Sequence, residues 1–234
     1  MWKIITFALI FISNLGLSGF ALAEGDEKAP ILYRPIFETQ QGSANAGTAF
    51  IIKYRNQYYA ISAQHLIGTA GGLKKDYNGA EMATIFKSVT LNPIFRGYNK
   101  ITSKTHINIP KAEAITDATA RHDVFISPLG TKIDSTPLTL SKRPPIIGEK
   151  IVLYSAVASS KSLLHTATVS EISKDRLVYS FDDKNINLRA TSGAPVLNRQ
   201  YQVIGINLAG GSTSDGAVAG FANPAQSIVD HLPR

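Results

Sequence analysis

Apolar residues in this chain arrive in short runs, each cut off by Gly, Pro, Asn or Asp, and no stretch carries a long helical period. Closely spaced strands joined by tight turns give that pattern, so the chain is expected to be all-β. Residues 47–62 are the plainest case. Thr48 to Tyr54 and Tyr58 to Ser62 are β-rich runs around a polar break at Arg55-Asn56-Gln57, which reads as a hairpin. Gln64 to Leu66 should leave the second strand as a loop or a single helical turn. Further strands are expected at residues 83–91, 107–109, 123–126, 150–156, 163–172, 176–181, 195–197, 203–208 and 217–221, with a surface loop at 68–77. Glu24 to Pro35 reads as irregular. Near the end, Asn223 followed by Pro224 looks like a helix cap, and Ala225, Ile228, Val229 and Leu232 then share one face of a short helix.

With 234 residues, 44% of them hydrophobic, the chain can bury one large core or two smaller ones. The polar, proline-bearing stretch from Leu138 to Gly148 suits a join between two units, placed at 24–140 and 141–234. Residues 1–23 read differently. Lys3 precedes an apolar segment from Ile4 to Phe20, then Ala21-Leu22-Ala23 and an acidic stretch, which is the pattern of a secretory signal peptide cleaved after Ala23. An uncleaved anchor fits less well, because Asn14, Gly16, Ser18 and Gly19 dilute a segment already short for a bilayer. The mature protein is therefore expected in the periplasm or the medium, without stable membrane insertion.

No cysteine is present, so disulfides and thiol-borne lipid are excluded and packing must stabilise the fold. The net charge of +7 comes from scattered lysines and arginines, which reads as a solvated surface. No repeated Arg/aromatic pattern marks a nucleic-acid partner, and none is expected. Oligomeric state stays open.

Three short contexts carry chemistry. Ala190-Thr191-Ser192-Gly193-Ala194-Pro195 is a small-residue turn that presents a serine just before an apolar strand, where glycine lets a substrate carbonyl approach the backbone. Ser62-Ala63-Gln64-His65 places a histidine just past an apolar strand. Asp123-Val124-Phe125-Ile126 places a carboxylate at the mouth of a buried strand, and such a carboxylate is costly unless it is paired. His122 is adjacent to Asp123 and should face the other way, onto the surface. His106, His165 and His231 have no comparable context.

These contexts together resemble the chymotrypsin-like serine protease superfamily, whose triad runs in the order His, Asp, Ser. Ser62-Ala63-Gln64-His65 is similar to that family's S/T-A-x-H, Asp123-Val124-Phe125-Ile126 to its D-[IV]-A-[LV], and Ser192-Gly193-Ala194-Pro195 to its S-G-[GSA]-P. Val203 to Asn207 and Gly220 to Pro224 further resemble the HtrA and glutamyl endopeptidase branches. The resemblance spans Gly47 to Leu232. It implies two antiparallel β-barrels with a short C-terminal helix, His65 and Asp123 on the first barrel and Ser192 on the second. It implies hydrolysis of protein or peptide substrates through an acyl-enzyme, with no cofactor and no metal.

The resemblance also assigns an oxyanion hole to the N–H groups of Ala190 and Ser192. The family has glycine at position 190, and a side chain there disfavours the backbone geometry that aims the N–H inward. Thr191 stands where trypsin-like members carry the aspartate that receives a new amino terminus, so that ion pair is excluded. For the specificity pocket the resemblance implies Ile186 at the base, Asn207 and Leu208 on one wall, and Gly210 and Gly220 at the sides. No carboxylate sits at the base, and Asn207 replaces the histidine of glutamyl endopeptidases. A small or apolar residue before the scissile bond is expected. The alternative, to which Ala190 and Thr191 point, is a catalytically weak or inactive protease-fold binding protein of the cell envelope.

Overall fold

The structure is a computed structural model that describes residues 30–115, 120–130 and 133–233. The signal-peptide reading of residues 1–23 lies outside the described residues. Among the described residues no helix is long and apolar enough to cross a membrane.

The chain is mostly β. Its first half builds two antiparallel sheets. One contains β1 (Tyr33–Thr39), β2 (Gly42–Asn45), β5 (Phe86–Pro93) and β6 (Ile101–Ser103), in the order β2-β1-β5-β6. The other contains β3 (Phe50–Tyr54), β4 (Gln57–Ser62) and β7 (Phe125–Pro128), in chain order. A backbone bridge between Tyr33 and Ala49 joins the two sheets around a shared core that includes Phe37, Phe50, Ile61 and Ile126.

The second half closes into a six-stranded antiparallel barrel. Its strands are β8 (Lys150–Tyr154), β9 (Leu164–Ile172), β10 (Leu177–Phe181), β11 (Pro195–Leu197), β12 (Val203–Ser212) and β13 (Val218–Pro224), closed in the order β10-β13-β12-β11-β8-β9. Ile151, Val169, Tyr179 and Val196 fill its interior. Between the halves, Leu138 bridges to Ile52 and Leu140 to Val203. The linker is thus stitched to both sides.

Several local expectations need correction. Tyr33 to Pro35 are not irregular: they open β1, whose alternate residues are buried. The turn between β3 and β4 holds only Arg55 and Asn56, because Gln57 already pairs with Tyr54. Residues 83–85 end a helix, α1 (Gly79–Ile85), because Asn78 and Glu81 form a reciprocal capping box that starts it. Residues 107–109 form no strand, although the amide of Ile107 donates to the carbonyl of Ile126. Asn223 caps nothing. It ends within β13, and the last helix, α2 (Gln226–Val229), starts after Ala225.

Candidate active site

Pairing of β4 with β7 sets the first half of the site. Ser62 lies opposite Phe125, so the chain leaving β4 and the chain entering β7 run side by side at one end of the sheet. His65 sits in a single 3₁₀ turn, Gln64–Leu66, just past β4. Asp123 precedes β7 by two residues and is 1% exposed. The His65 Nδ1 and the Asp123 Oδ2 are 2.6 Å apart. The amide of His65 donates to Oδ1 at 2.9 Å, and the amide of Ile115 donates to Oδ2 at 3.0 Å. Three donors therefore surround one buried carboxylate, which meets the need of an acceptor-only group taken out of water. With Nδ1 donating to Asp123, Nε2 is the histidine nitrogen left to accept a proton.

Asn223 fixes the same carboxylate's backbone from the opposite barrel. Its Nδ2 donates to the carbonyls of Arg121 and Asp123, both at 3.2 Å. Ser227 Oγ donates back to Asn223 Oδ1. Sequence reading took Asn223 for a cap, so this tie was missed.

Ser192 is placed by the pairing of β11 with β12. The amide of Gly193 donates to Asn207 O at 2.7 Å, and the amide of Asn207 donates to Ala194 O at 2.8 Å. That register leaves Ser192 beside Leu208. The turn then docks onto the first half of the molecule, where the amide of Thr48 donates to Ser192 O at 2.8 Å. Gly193 has φ 84°, and a Cβ there would lie 2.1 Å from Thr48 O, 2.6 Å from Ser62 Oγ and 3.2 Å from Ala63 N. Only glycine fits this contact. Because residues 62 and 63 lead directly into His65, the docking brings the serine turn to the histidine turn. The Ser192 hydroxyl itself donates to Leu208 O at 2.8 Å, and among the described residues it has no hydrogen bond to His65.

Ala190 is exposed and adopts φ 64°. An L-residue pays about 1–2 kcal/mol for that left-handed conformation. The alanine thus takes the backbone geometry that its side chain disfavours. Among the described residues, the amides of Ala190 and Ser192 have no acceptor. The two N–H groups without an acceptor thus lie on either side of Thr191, the serine's own and the one two residues before it.

No protein-family model matches this sequence, and no curated protein matches it. Solved structures do. The Rv3671c protease from M. tuberculosis in its active form is 17% identical, with a TM-score of 0.54 over 88% of this chain and 80% of that one. The serine endoprotease from Yersinia pestis is 12% identical, with a TM-score of 0.55 over 87% of this chain and 62% of that one. The HtrA-type protease AlgW with tripeptide is 14% identical, with a TM-score of 0.53, and the match covers 87% of this chain and 59% of that one. The chain therefore spans about three fifths of the latter two.

The fold is that of the chymotrypsin-like serine proteases.

In this chymotrypsin-like fold an open cavity of about 610 Å³ lies beside Ser192. Ile186, Leu208 and Gly210 line it, together with Leu188, Ala190 and Val218. Asn207 and Gly220 do not, contrary to the sequence reading. The Asn207 side chain turns inward, where its Oδ1 accepts from Tyr179 Oη at 2.6 Å and its Nδ2 donates to Thr191 Oγ1 at 2.9 Å. Thr191 Oγ1 donates in turn to Leu188 O at 2.6 Å. A Cβ on Gly220 would lie 2.4 Å from the Tyr179 ring, so that ring fills the space behind the cavity. Burial pushes the Tyr179 hydroxyl far above its ordinary pKa, which keeps it a neutral donor. A neutral hydrogen-bonded chain thus occupies the position beneath the serine turn where an aspartate–amino-terminus pair was excluded.

Among the described residues none of the other histidine side chains hydrogen-bonds to His65, Asp123 or Ser192. His106 packs against Phe86 with ring centroids 4.6 Å apart, and His165 Nε2 lies 3.0 Å from Ser155 O. Burial lowers the pKa of both, and of His231. His122 is half-buried, not a surface residue as expected, and its Nδ1 has no partner among the described residues.

Proposed function

We propose that this chain is a serine endopeptidase in which Ser192 is the nucleophile, His65 the general base and acid, and Asp123 the orienting carboxylate. The observation that carries the proposal is the 2.6 Å contact of His65 Nδ1 with Asp123, made beside a serine turn that docks on Ser62 and Ala63. A buried carboxylate held by the histidine's own ring and amide fixes the tautomer in which Nε2 accepts a proton.

Substrate binding completes the array. For attack, the Ser192 hydroxyl would leave Leu208 O and turn toward His65. Ser192 Oγ then attacks the carbonyl carbon as its proton passes to Nε2. The oxyanion forms against the N–H groups of Ala190 and Ser192. As the C–N bond breaks, the proton passes from His65 to the leaving amine, and an acyl-enzyme remains on Ser192. Water then gives its proton to His65 as its oxygen attacks the acyl carbon, and the Ser192 Oγ–C bond breaks as Oγ takes that proton back from His65, releasing the acid and the free enzyme.

We further propose a small or apolar residue before the scissile bond: Ile186, Leu188 and Val218 form the apolar part of a cavity that Asn185, Asn187, Arg189 and Ser212 also line, and no carboxylate there would pair with Lys or Arg. Residues 1–23 support export, with cleavage after Ala23 and action outside the cytoplasm. The two-unit division at 140/141 belongs to the same proposal.

A fluorophosphonate probe tests the chemistry. Labelling of the wild type that is lost in Ser192→Ala is the expected result, and cleavage of a peptide library should show small or apolar preference. The hydroxyl contact with Leu208 O favours a second reading, a protease-fold binding protein without turnover. A folded wild type that takes no label would select it.

A further inference from the structure

The two halves of the molecule meet at the candidate site, and each carries part of it. Ile206, Leu208, Ile228 and Leu232 of the second half join the core cluster that holds Phe50, Ile61 and Ile126 of the first. Such apolar contact is non-directional, so it holds the halves together without fixing how one is turned against the other. Hydrogen bonds have preferred distances and angles and can fix it. One set of them lies beside the serine. Thr48 donates to Ser192 O through its amide at 2.8 Å and to Ala190 O through Oγ1 at 2.9 Å, and Arg34 Nη1 donates to Ala190 O at 2.9 Å.

A second set holds the main chain around Asp123. Asn223 is fully buried, and its Nδ2 carries two protons for two acceptors, Arg121 O and Asp123 O at 3.2 Å each. Ser227 Oγ, donating to Oδ1, fixes which way the amide faces. Among the described residues Asp123 O has no other donor. Asp230, which follows α2, pairs with the Arg121 side chain. An ion pair through a long, partly exposed arginine holds the main chain less closely than two bonds from one planar amide.

The strand that bears Asn223 also bears on the serine. Ile206 pairs with Pro195 on one side and with Asn223 on the other, so the three form one row across β11, β12 and β13. Ser192 stands three residues before Pro195, and its turn is bonded to Asn207, the next residue of β12. At the other end, Asp123 carries His65 by ring and by amide. Asn223 is thus the joint between the strands that hold the serine turn and the segment that holds the histidine.

We propose that Asn223 is a positioning residue that sets the approach of His65 to Ser192 across the boundary between the halves. This rests on the proteolytic reading of Ser192. With Asn223 in place, the halves are tied both at the serine turn and at the carboxylate segment. Without it, the ties at Thr48 and Arg34 remain as a pivot, and His65 and Asp123 move together relative to the serine with their 2.6 Å contact kept. Asn223 touches no substrate; it acts through the main chain at residues 121 and 123.

The test uses the full chain with Asn223→Ala and Asn223→Asp, each checked for its fold by near-UV circular dichroism. Asn223→Ala should lower the limiting rate of fluorophosphonate labelling at least about tenfold, because a displaced base slows attack. The concentration for half-maximal rate should barely change, since the probe's own contacts stay in place. Asn223→Asp keeps the shape and the bond from Ser227. Facing two carbonyl oxygens, its carboxyl group stays protonated at neutral pH and donates one bond in place of two. Its limiting rate should therefore fall less than that of Asn223→Ala near neutral pH. It should drop further at alkaline pH, where ionisation removes the remaining donor, a limb that the wild type lacks. A wild-type limiting rate in folded Asn223→Ala, or an Asn223→Asp profile that follows the wild type throughout, overturns the proposal. If Asn223→Ala does not fold, Asn223→Asp carries the comparison. A crystal structure of a folded variant decides the geometry by itself. A changed separation of His65 from Ser192 with the His65–Asp123 contact kept supports the tie, and the wild-type separation or a broken pair overturns it. Failure of the wild type to label would instead defeat the proteolytic reading, and that separation would still decide the tie.

Discussion

The two sides of the candidate site are built by opposite means. On the His65 side, one sheet register and one carboxylate set most of the geometry: Asp123 takes three donors, two of them backbone amides, from His65 just past β4 and from Ile115 eight residues upstream, and Asn223 is the tie from the second half. On the Ser192 side, the turn depends on groups brought from elsewhere, with Thr48, Arg34 and Asn207 each supplying part of its geometry. The proposed acid–base pair is therefore set mainly by secondary structure. The proposed nucleophile turn is set by tertiary contact, and it should be the more easily disturbed of the two.

Asp123→Asn attacks the robust side at its centre. The amide side chain keeps the shape, but its NH₂ cannot accept from both His65 and Ile115, and the ring is free to take the wrong tautomer. A fall of about 10⁴-fold in hydrolytic rate is expected, with little change in KM. Steady-state kinetics on a peptide substrate check it. A fall of less than tenfold would mean that the close contact with His65 has no part in the chemistry.

Gly193→Ala probes the dependent side. Its new Cβ would meet two backbone atoms and one hydroxyl of the partner segment, at a left-handed φ. Strain and overpacking together should cost about 2–4 kcal/mol of stability. The turn would lift from Ser62 and Ala63, and labelling of Ser192 should fall at least tenfold in the fraction that stays folded. Urea unfolding and probe labelling measure the two effects, and unchanged values in both would show that the docking is looser than its geometry.

The same contrast explains what the sequence made legible. His65, Asp123 and Ser192 stand in compact contexts whose residue types follow from local geometry, so the resemblance could be read by eye. Most strands were visible for the same reason, since alternation and turn residues are local signals. β1 was not read as a strand at all, since Pro35 interrupts its pattern, although Pro35 fits there opposite Leu91. Arg34 and Thr48 gave no signal at all: they act on Ala190 across 156 and 142 residues of sequence. Asn207 was assigned to a cavity wall by counting along the chain, which fixes a position on a strand but not the way its side chain turns. Tyr179 Oη, 28 residues away, decides that.

Tyr179→Phe tests whether that inward turn supports the nucleophile side. The substitution keeps the ring that packs against Gly220 and removes only the donor to Asn207 Oδ1, leaving a fully buried acceptor unpaired. The expected loss is about 1–3 kcal/mol, read as a fall in Tm of roughly 2–4 °C per kcal/mol. Labelling should weaken as well, since Asn207 also holds Thr191 next to Ser192. A variant as stable as the wild type would show that Asn207 finds another donor.

The smallest expected effect is on pH dependence, and it comes from a histidine on neither side of the site. His165 lies inside the second barrel at 7% exposure, and burial, opposed by the Ser155 carbonyl and the charge of Asp183, lowers its pKa. The unfolded chain releases such a histidine to its ordinary pKa near 6.5. As pH falls through that value, the unfolded state binds the proton first, so it holds more protons than the native state. Stability then rises with pH and is lost on acidification below about 6.5. His106 and His231, lowered in the same direction, add to the slope. Thermal unfolding between pH 7.5 and 5.5 should show Tm falling toward acid, and His165→Gln should flatten part of that fall because glutamine has no proton to take. An equal slope in the variant would assign the acid sensitivity to the other two histidines, leaving the second barrel indifferent to pH where the buried imidazole says it should respond.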